Sequence, residues 1–296
     1  MPTTIPPLGL LLDVDGPIAS PVSRSIAIPS IIDDLVTLCG LGVPIAFVTG
    51  RSESFIREHV VGPLIDAGLG PVLAGGGRMF GVCEKGGVWF PITEQGVGTV
   101  EIDHALALPQ DYTEAIRQLV HSSFAETMEF DGTKYAMISV EQRTDVEHEA
   151  FVRAQPSFAA AAFDLLVDHG LGARFNDRVV ADSDGHVPFR IDPTIISIDV
   201  ESVLLDKDRG AERALGYFLG HGPVPTLWRT VGDSRSDYLM ADFLHDAGYE
   251  VAHVDVRPSD GVLQKPYPVV VPDDLIHDHA GAWFLRQWVA KLTESG

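Results

Sequence analysis

The sequence predicts an α/β protein, an open and mostly parallel sheet interrupted by an inserted α+β unit. Two observations carry this. Apolar strand-like runs alternate with helical patterns from Leu8 to about residue 80 and again after about residue 199, which indicates parallel strands joined by crossover helices. Between those stretches the order changes to helix then hairpin, twice, as in an antiparallel sheet with helices on one face. A chain of 296 residues holds one large or two modest domains. The expected division is therefore 1–80 with 199–296 as the α/β core, and 81–198 as the insert.

In the first core segment, LGLLLDVD (8–15) is a strand. Residues 30–39 form a helix, with Ser30 at the N-cap, Asp33 three residues on, and Ile31, Ile32, Leu35 and Leu38 on one face. VPIAFVT (43–49) is a second buried strand, SESFIREHVVGPLIDAG a helix broken near Gly62-Pro63, and PVLAGG (71–76) a third strand. In the insert, DYTEAIRQLVHSSF (111–124) is an amphipathic helix. ETMEF and TKYAMISVEQ form a hairpin over Asp131-Gly132. PSFAAAAFDLLVDHG is a helix ended by Gly170, and ARFNDRVVADS, HVPFRID and TIISIDVE are strands with a turn at Asp184-Gly185.

In the second core segment, DKDRGAERALGYFLG presents apolar residues at 211, 214, 215, 218 and 219, one helical face. PTLWRTVGD is a strand, SDYLMADFLHDAG a helix, YEVAHVDV a strand, and VVVP a last short strand. Residues 257–268 connect over the surface, and the final helix covers 280–293.

Composition narrows the function classes. The formal charge of −21 disfavours a nucleic-acid partner, which needs basic patches. No run of 18 apolar residues predicts a membrane span. MPTTIPPLGLLLDV lacks a basic leader region, so no signal peptide is expected. Two cysteines, Cys39 and Cys83, do not make a disulfide framework, and a reducing cytoplasm is the expected location. Lysine occurs only at 85, 134, 207, 265 and 291, so a lysine in a special place is informative.

Four stretches fall where open α/β sheets place ligands, beyond the carboxyl ends of strands. Asp13-Val14-Asp15 puts two carboxylates on one side of an extended segment. Like charges that close require a cation or a proton between them. FVTGR places Thr49 at a strand end with Gly50 allowing close approach of a ligand to the backbone. Lys207 opens a helix, where it opposes the helix dipole unless an anion is bound. VGDSRSD adds Asp233 and Asp237. A cluster of acids with few basic partners calls for a hard cation such as Mg²⁺, together with a phosphate group, and an aspartate can itself attack phosphorus.

The ordered set DVDG, VTGR, Lys207 and GDSRSD resembles the haloacid dehalogenase-like superfamily of phosphotransferases. The resemblance covers roughly 8–80 and 199–270 and implies a Rossmann-like core. The position of the insert, between the Thr49 and Lys207 motifs, is similar to the large cap of the sugar-phosphatase branch, which includes Cof-type, sucrose-phosphate and trehalose-phosphate phosphatases and phosphomannomutases. ISIDV followed by DK (196–207) resembles the phosphomannomutase return from cap to core. By this resemblance Asp13 is the nucleophile and a Mg²⁺ ligand. Asp15 is the acid and base, with its backbone carbonyl on the metal. Thr49, the Gly50 backbone and Lys207 hold the phosphoryl oxygens, Asp233 is a direct metal ligand, and Asp237 supports metal waters or Lys207. Dehalogenases of the superfamily lack the second aspartate, so Asp15 argues for phosphoryl transfer.

The expected substrate is a small phosphorylated metabolite, a sugar or polyol phosphate. The rival readings are a phosphomutase and a non-catalytic binding protein; no oligomeric state is assigned. Arg78 is a further candidate for substrate binding, among insert cations Lys134, Arg143, Arg174, Arg178 and Arg190. Gly75–Gly77 and Gly81 suit a hinge over 75–82, with its counterpart over 194–202. Pro17 removes an N–H from the first motif's turn, where the family often has Thr or Val. His277, His279 and His253 are assigned surface, capping or strand-edge roles.

Overall fold

Leu10, Leu11 and Leu12 are fully excluded from solvent, as a strand covered on both faces and flanked on both edges requires. In the computed structural model, which describes residues 5–294, they form β1 (Gly9–Leu12). Next come α1 (Pro29–Gly40), β2 (Ile45–Val48), α2 (Glu53–Ile56), a π-helical turn (Arg57–Val61) and α3 (Gly62–Asp66). α4 (Leu69–Ala74), β3 (Met79–Cys83), β4 (Val88–Thr93), β5 (Gly96–Val97) and β6 (Glu101–Ile102) complete the first segment.

Contacts divide the chain into two units, one running up to Glu101 and again from Asp206, the other Ile102–Leu205. The second unit contains α5 (Gln110–Leu119), β7 (Met128–Phe130), β8 (Ile138–Gln142), α6 (His148–Asp168), β9 (Ala173–Phe175), β10 (Arg178–Val180), β11 (Phe189–Pro193) and β12 (Ser197–Ser202). Its sheet has the order β10-β9-β11-β12-β8-β7. The β9–β11 pairing is parallel and the β9–β10, β11–β12, β12–β8 and β8–β7 pairings are antiparallel. Tyr112 and Ile116 of α5 and Phe151, Phe158, Phe163 and Leu166 of α6 pack on Ile138, Val140, Ile198 and Val200, so the helices cover one face.

The chain then returns to the first unit through α7 (Lys207–Gly220), β13 (Leu227–Gly232), α8 (Tyr238–Asp246), β14 (Glu250–Asp255), β15 (Val269–Val270) and α9 (His277–Glu294). The first unit's sheet runs β15-β14-β13-β1-β2-β3-β4-β5. Pairing is parallel from β15 to β3 and antiparallel from β3 to β5. No helix among the described residues is long and apolar enough to cross a membrane. Cys39 and Cys83 are buried, and no disulfide joins them.

Several expectations need correction. PVLA of that stretch belongs to helix α4, and the third strand is the MFGVC that follows. Gly68 (φ 95°) and Gly76 (φ 105°) bracket that helix and turn the chain into β3. Pro29 occupies the first turn of α1 and Ile28 its N-cap, with no side-chain cap from Ser30. The helix does not break at Gly62-Pro63. The Gly62 N–H bonds the Arg57 carbonyl five residues back, and Pro63 has no N–H to leave unpaired. The hairpin at Asp131-Gly132 closes over residues 131–137, longer than a two-residue turn. The β3–β4 hairpin stays on the parallel sheet, so the first crossing between units lies at Glu101 and the second at Leu205. Residues 75–82 and 194–202 therefore lie inside the units, and the boundaries fall at 101/102 and 205/206.

His253 is fully buried on β14, at the centre of a strand and not at a strand edge. Its Nδ1 is 2.7 Å from Thr230 Oγ1, and its ring lies 4.1 Å from that of Tyr238. Burial pushes its pKa down to about 4, against the opposing pull of Asp237, Asp255 and Asp242. The folded ring is therefore neutral at pH values where the unfolded ring, near 6.5, takes up a proton. Its contribution to stability is complete above pH 6.5 and is lost as pH falls toward 4. Melting curves at pH 7 and pH 5 should show a smaller loss for His253→Gln than for wild type. Equal losses would remove His253 from the acid sensitivity.

Candidate active site

Because β1, β2 and β13 are parallel neighbours, their carboxyl ends share one edge of the sheet. Asp13 follows β1, Thr49 follows β2, Asp233 follows β13, and Lys207 opens α7. Lys207 ties them together. Its Nζ lies 2.6 Å from Asp13 Oδ1 and 2.6 Å from Asp237 Oδ1. It also donates to the Val48 carbonyl at 2.9 Å. An ammonium has three N–H groups, and here all three have acceptors inside the protein.

Asp237 is wholly buried. Its Oδ2 accepts from the backbone N–H groups of Asp233 (3.0 Å) and Ser234 (2.9 Å) and from Ser234 Oγ (2.7 Å). It braces both the Asp233 turn and the lysine. Asp13 is 6% exposed, and its Oδ1 also accepts from the Val14 N–H at 2.7 Å. Burial first, then the charge of Asp237, holds the Asp13 pKa well above the usual carboxylate value, although Lys207 pulls it down. Burial and Asp237 likewise push Asp233 up to about 6. Burial would raise Asp237 too, but Lys207 and the Ser234 bond outweigh it and its pKa is lowered. The Lys207 pKa is raised, because Asp13 and Asp237 overcome the opposing effect of burial.

Carboxylate oxygens of Asp13, Asp233 and Asp237 all lie within 4.8 Å of one another. Three carboxylates against one ammonium leave an excess of negative charge. A hard divalent cation with oxygen ligands, such as Mg²⁺, fits this donor set. Asp237 already serves Lys207 and three N–H or O–H donors, so Asp13 and Asp233 are the residues that would hold it. Gly16 keeps the space open. It has φ 93°, and a Cβ there would lie 2.8 Å from Asp233 Cβ, Cγ and Oδ2.

The Asp15 carboxylate is not in that cluster. It is half-exposed and held by Arg51, whose Nε donates at 2.9 Å to Oδ2 and Nη2 at 2.9 Å to Oδ1. Thr49 is fully buried, and its Oγ1 accepts from the Arg51 N–H at 3.1 Å. Pro17 breaks nothing in the first motif's turn. The Val14 carbonyl accepts from Ile18 (3.2 Å) and Ala19 (2.7 Å), closing the turn without an N–H at 17.

Arg78 does not belong to this site. It stands at the opposite, amino end of β3, where its Nη2 donates to Pro223 O at 2.7 Å and its guanidinium covers the Phe218 ring. There it satisfies backbone carbonyls in a buried corner.

Three residues assigned other roles, or none, do approach the site. Arg51 was visible in VTGR, but its partner is 36 residues away in sequence. His277 opens α9 with Nδ1 3.7 Å from Asp233 Oδ2. Lys85 follows β3, donates its N–H to the Thr49 carbonyl at 3.0 Å, and lays its side chain beside Gly50. Glu84 (φ 50°) and Lys85 (φ 54°) are both left-handed, a conformation that costs about 1–3 kcal/mol for a residue with a side chain.

No protein-family model matches the chain, and no curated protein matches it. Solved structures do. The trehalose-6-phosphate phosphatase C-terminal domain of C. albicans superposes with a TM-score of 0.62 at 13% identity, covering 97% of this chain and 93% of that one. A haloacid dehalogenase-like hydrolase from Bacteroides thetaiotaomicron gives 0.58 at 11% identity, with 95% and 99% covered. The trehalose-6-phosphate phosphatase of Aspergillus fumigatus gives 0.53 at 13% identity, with 98% and 94% covered. With the likeness extending over nearly the full length of the chain, this protein has the fold of the haloacid dehalogenase-like hydrolases.

Proposed function

We propose that the protein hydrolyses a small phosphomonoester, a sugar or polyol phosphate, through a phosphorylated Asp13. The observation that carries the reading is the convergence of Asp13, Asp233 and Asp237 around Lys207 at the carboxyl edge of a parallel sheet. It occurs in a fold shared with trehalose-6-phosphate phosphatases.

In the proposed reaction an oxygen of ionised Asp13 attacks phosphorus, and the bond to the leaving alcohol breaks. Asp15, protonated at that moment, gives its proton to the departing oxygen. Asp15 then takes a proton from water, whose oxygen attacks the same phosphorus. Inorganic phosphate leaves and the Asp13 carboxylate is restored. Because Arg51 holds Asp15 by both carboxylate oxygens, Asp15 must leave at least one of these contacts to transfer its proton. Thr49 and the Gly50 backbone offer the phosphoryl group polar contacts at the end of β2. Asp13 and Asp233, with the backbone carbonyl of Asp15, would hold a Mg²⁺, which would supply positive charge near the phosphoryl oxygens.

The Ile102–Leu205 unit is assigned the part of a substrate-selecting cap. Three of its cations are engaged within the unit, which favours hydrolysis over the mutase alternative, since that needs an anchor for a second phosphate. Arg143 is engaged by Asp145 at 2.7 Å, Arg178 by Asp164 at 2.6 Å, and Arg190 by buried Glu201 at 2.7 Å. Buried Asp199 accepts from Ser139 and Ser197 hydroxyls at 2.7 and 3.1 Å. Such a polar and largely acidic sheet face suits hydroxyl groups better than a second anion.

Asp13→Asn should retain the fold by circular dichroism and fall below about one per cent of wild-type turnover. Substantial residual activity would exclude Asp13 as the nucleophile. Asp233→Ala should raise the Mg²⁺ concentration for half-maximal rate about tenfold or more; an unchanged titration would remove Asp233 from the metal. Across a panel of sugar phosphates with Mg²⁺, free phosphate should accumulate steadily. Isomerisation of a hexose phosphate that outpaces phosphate release in the presence of a sugar bisphosphate would favour the mutase. Phosphate binding without turnover anywhere in the panel would favour a binding protein.

A further inference from the structure

One buried polar atom beside the acid cluster has no part in the proposed reaction. His277 Nδ1 is shielded from solvent and makes no hydrogen bond, which is uncommon for a buried nitrogen. It lies 3.7 Å from Asp233 Oδ2, just beyond hydrogen-bond length. Asp237 fixes the backbone of the Asp233 turn through the N–H groups of Asp233 and Ser234. Those bonds leave the rotation of the Asp233 carboxyl group to other contacts.

The backbone sets the position of His277 from two directions. The Val256 N–H donates to the Gly232 carbonyl at 3.0 Å, and the His277 N–H donates to the Val256 carbonyl at 2.8 Å. Asp233 follows Gly232 directly, so both side chains start from backbone tied to Val256. One turn further along α9, Gly281 seats the helix on the first motif, where a Cβ would collide with the Pro17 carbonyl oxygen. The same motif's Gly16 abuts the Asp233 carboxylate, since a Cβ on it would lie 2.8 Å from Oδ2. Helix α9 is thus registered against both turns that carry the acids. The His277 φ of 49° is left-handed, a conformation that a residue with a side chain keeps only where the surroundings fix it.

Asp13 is aimed by Lys207 and by the Val14 N–H. We infer that His277 serves Asp233 in the same way: with its proton on Nδ1, the ring donates to Oδ2 and holds the carboxylate in the direction in which it would bind the metal. Partners of this kind are what orient ligating carboxylates. The inference rests on the reading of Asp13 and Asp233 as metal ligands. It makes His277 a positioning residue, with no contact to substrate or metal and no proton transfer.

The test uses the full chain, stripped of divalent metal with EDTA. Calorimetric titration with Mg²⁺, and titration with Mn²⁺ followed by electron paramagnetic resonance, read metal binding without turnover. Two variants separate the ring from its donor. His277→Phe keeps an aromatic ring and loses the nitrogen; it should weaken both metals about tenfold or more, the usual loss when the partner of a ligating group is removed. His277→Asn loses the ring, but its amide nitrogen stands as many bonds from the backbone as Nδ1, and asparagine tolerates a left-handed φ. That variant should stay within about threefold of wild type. A residue that served only to pack would give the reverse order. Should His277→Phe not fold, His277→Gly, which suits the left-handed angle, must show the same loss of metal affinity. Affinity within about twofold of wild type in the variant without the donor overturns the inference, as does an equal loss in His277→Asn. The two readings fail separately. Mg²⁺ affinity lost in Asp233→Ala but kept in His277→Phe removes only His277. Mg²⁺ affinity unchanged in Asp233→Ala, or a wild type that binds neither metal, removes the ligand assignment and this inference with it.

Discussion

The Lys207 ammonium is the point on which the site's geometry depends. One buried cation lies 2.6 Å from each of two buried carboxylates. A buried ion pair contributes little net stability, because desolvation offsets most of the attraction. What it supplies is position. The third lysine contact, to the Val48 carbonyl, fixes the group against β2, so that strands β1 and β2, the turn after β13 and helix α7 are registered by one nitrogen. Loss of that nitrogen would leave two buried charges uncompensated in a site that already holds a third.

Close packing of like charges sets limits on the surrounding backbone. The first motif must turn sharply after Asp15 while Asp233 stands against it, and Gly16 meets both demands. Its φ of 93° is open to glycine, and a Cβ would press on the Asp233 carboxylate. Asp237 solves a related problem from the other side. By accepting two backbone N–H groups and a hydroxyl at its own turn, it fixes the direction of Asp233 while its second oxygen faces Lys207. The two aspartates of VGDSRSD therefore differ in role although they share a short stretch, one facing the proposed metal and the other building the turn that presents it.

Much of this was legible in sequence because the informative residues follow strands. LGLLLDVD, VPIAFVT and PTLWRTVGD are apolar runs that end in polar residues, and parallel pairing brings their ends together whatever the loops do. The errors have local causes. PVLAGG has strand-like composition, yet two glycines at positive φ bracket it as a helical turn. Arg78 lies next to β3 in sequence, but at the end of the strand remote from the acids, and periodicity does not state which end of a strand a flanking residue occupies. The insert was placed 21 residues early at its start, since the antiparallel β3–β4 hairpin resembles insert strands in composition and extends the parallel sheet instead. Arg51 stood inside a quoted motif and His277 outside any, but neither could be paired with its partner, Asp15 or Asp233, because these are distant in sequence.

A chain of net charge −21 would be an unexpected receptor for the phosphate dianion of the proposed reaction, and the resolution is one of range. At physiological salt, charges separated by more than about 8 Å are largely screened, so acids spread over the surface exert little force at the site. Inside it the balance is decided by a few groups at hydrogen-bond distance. There the fixed carboxylates of Asp13, Asp233 and Asp237 outnumber the Lys207 ammonium, and in the proposed reaction phosphate binding would be conditional on a divalent metal. The same condition acts as a filter. A site that cannot hold a phosphoryl dianion without its metal binds free anions weakly in its absence, and the affinity for a particular phosphomonoester must then come from the part of the substrate beyond the phosphorus. On the proposed reading, the burden of selectivity falls on recognition of the neutral hydroxyl groups of the substrate.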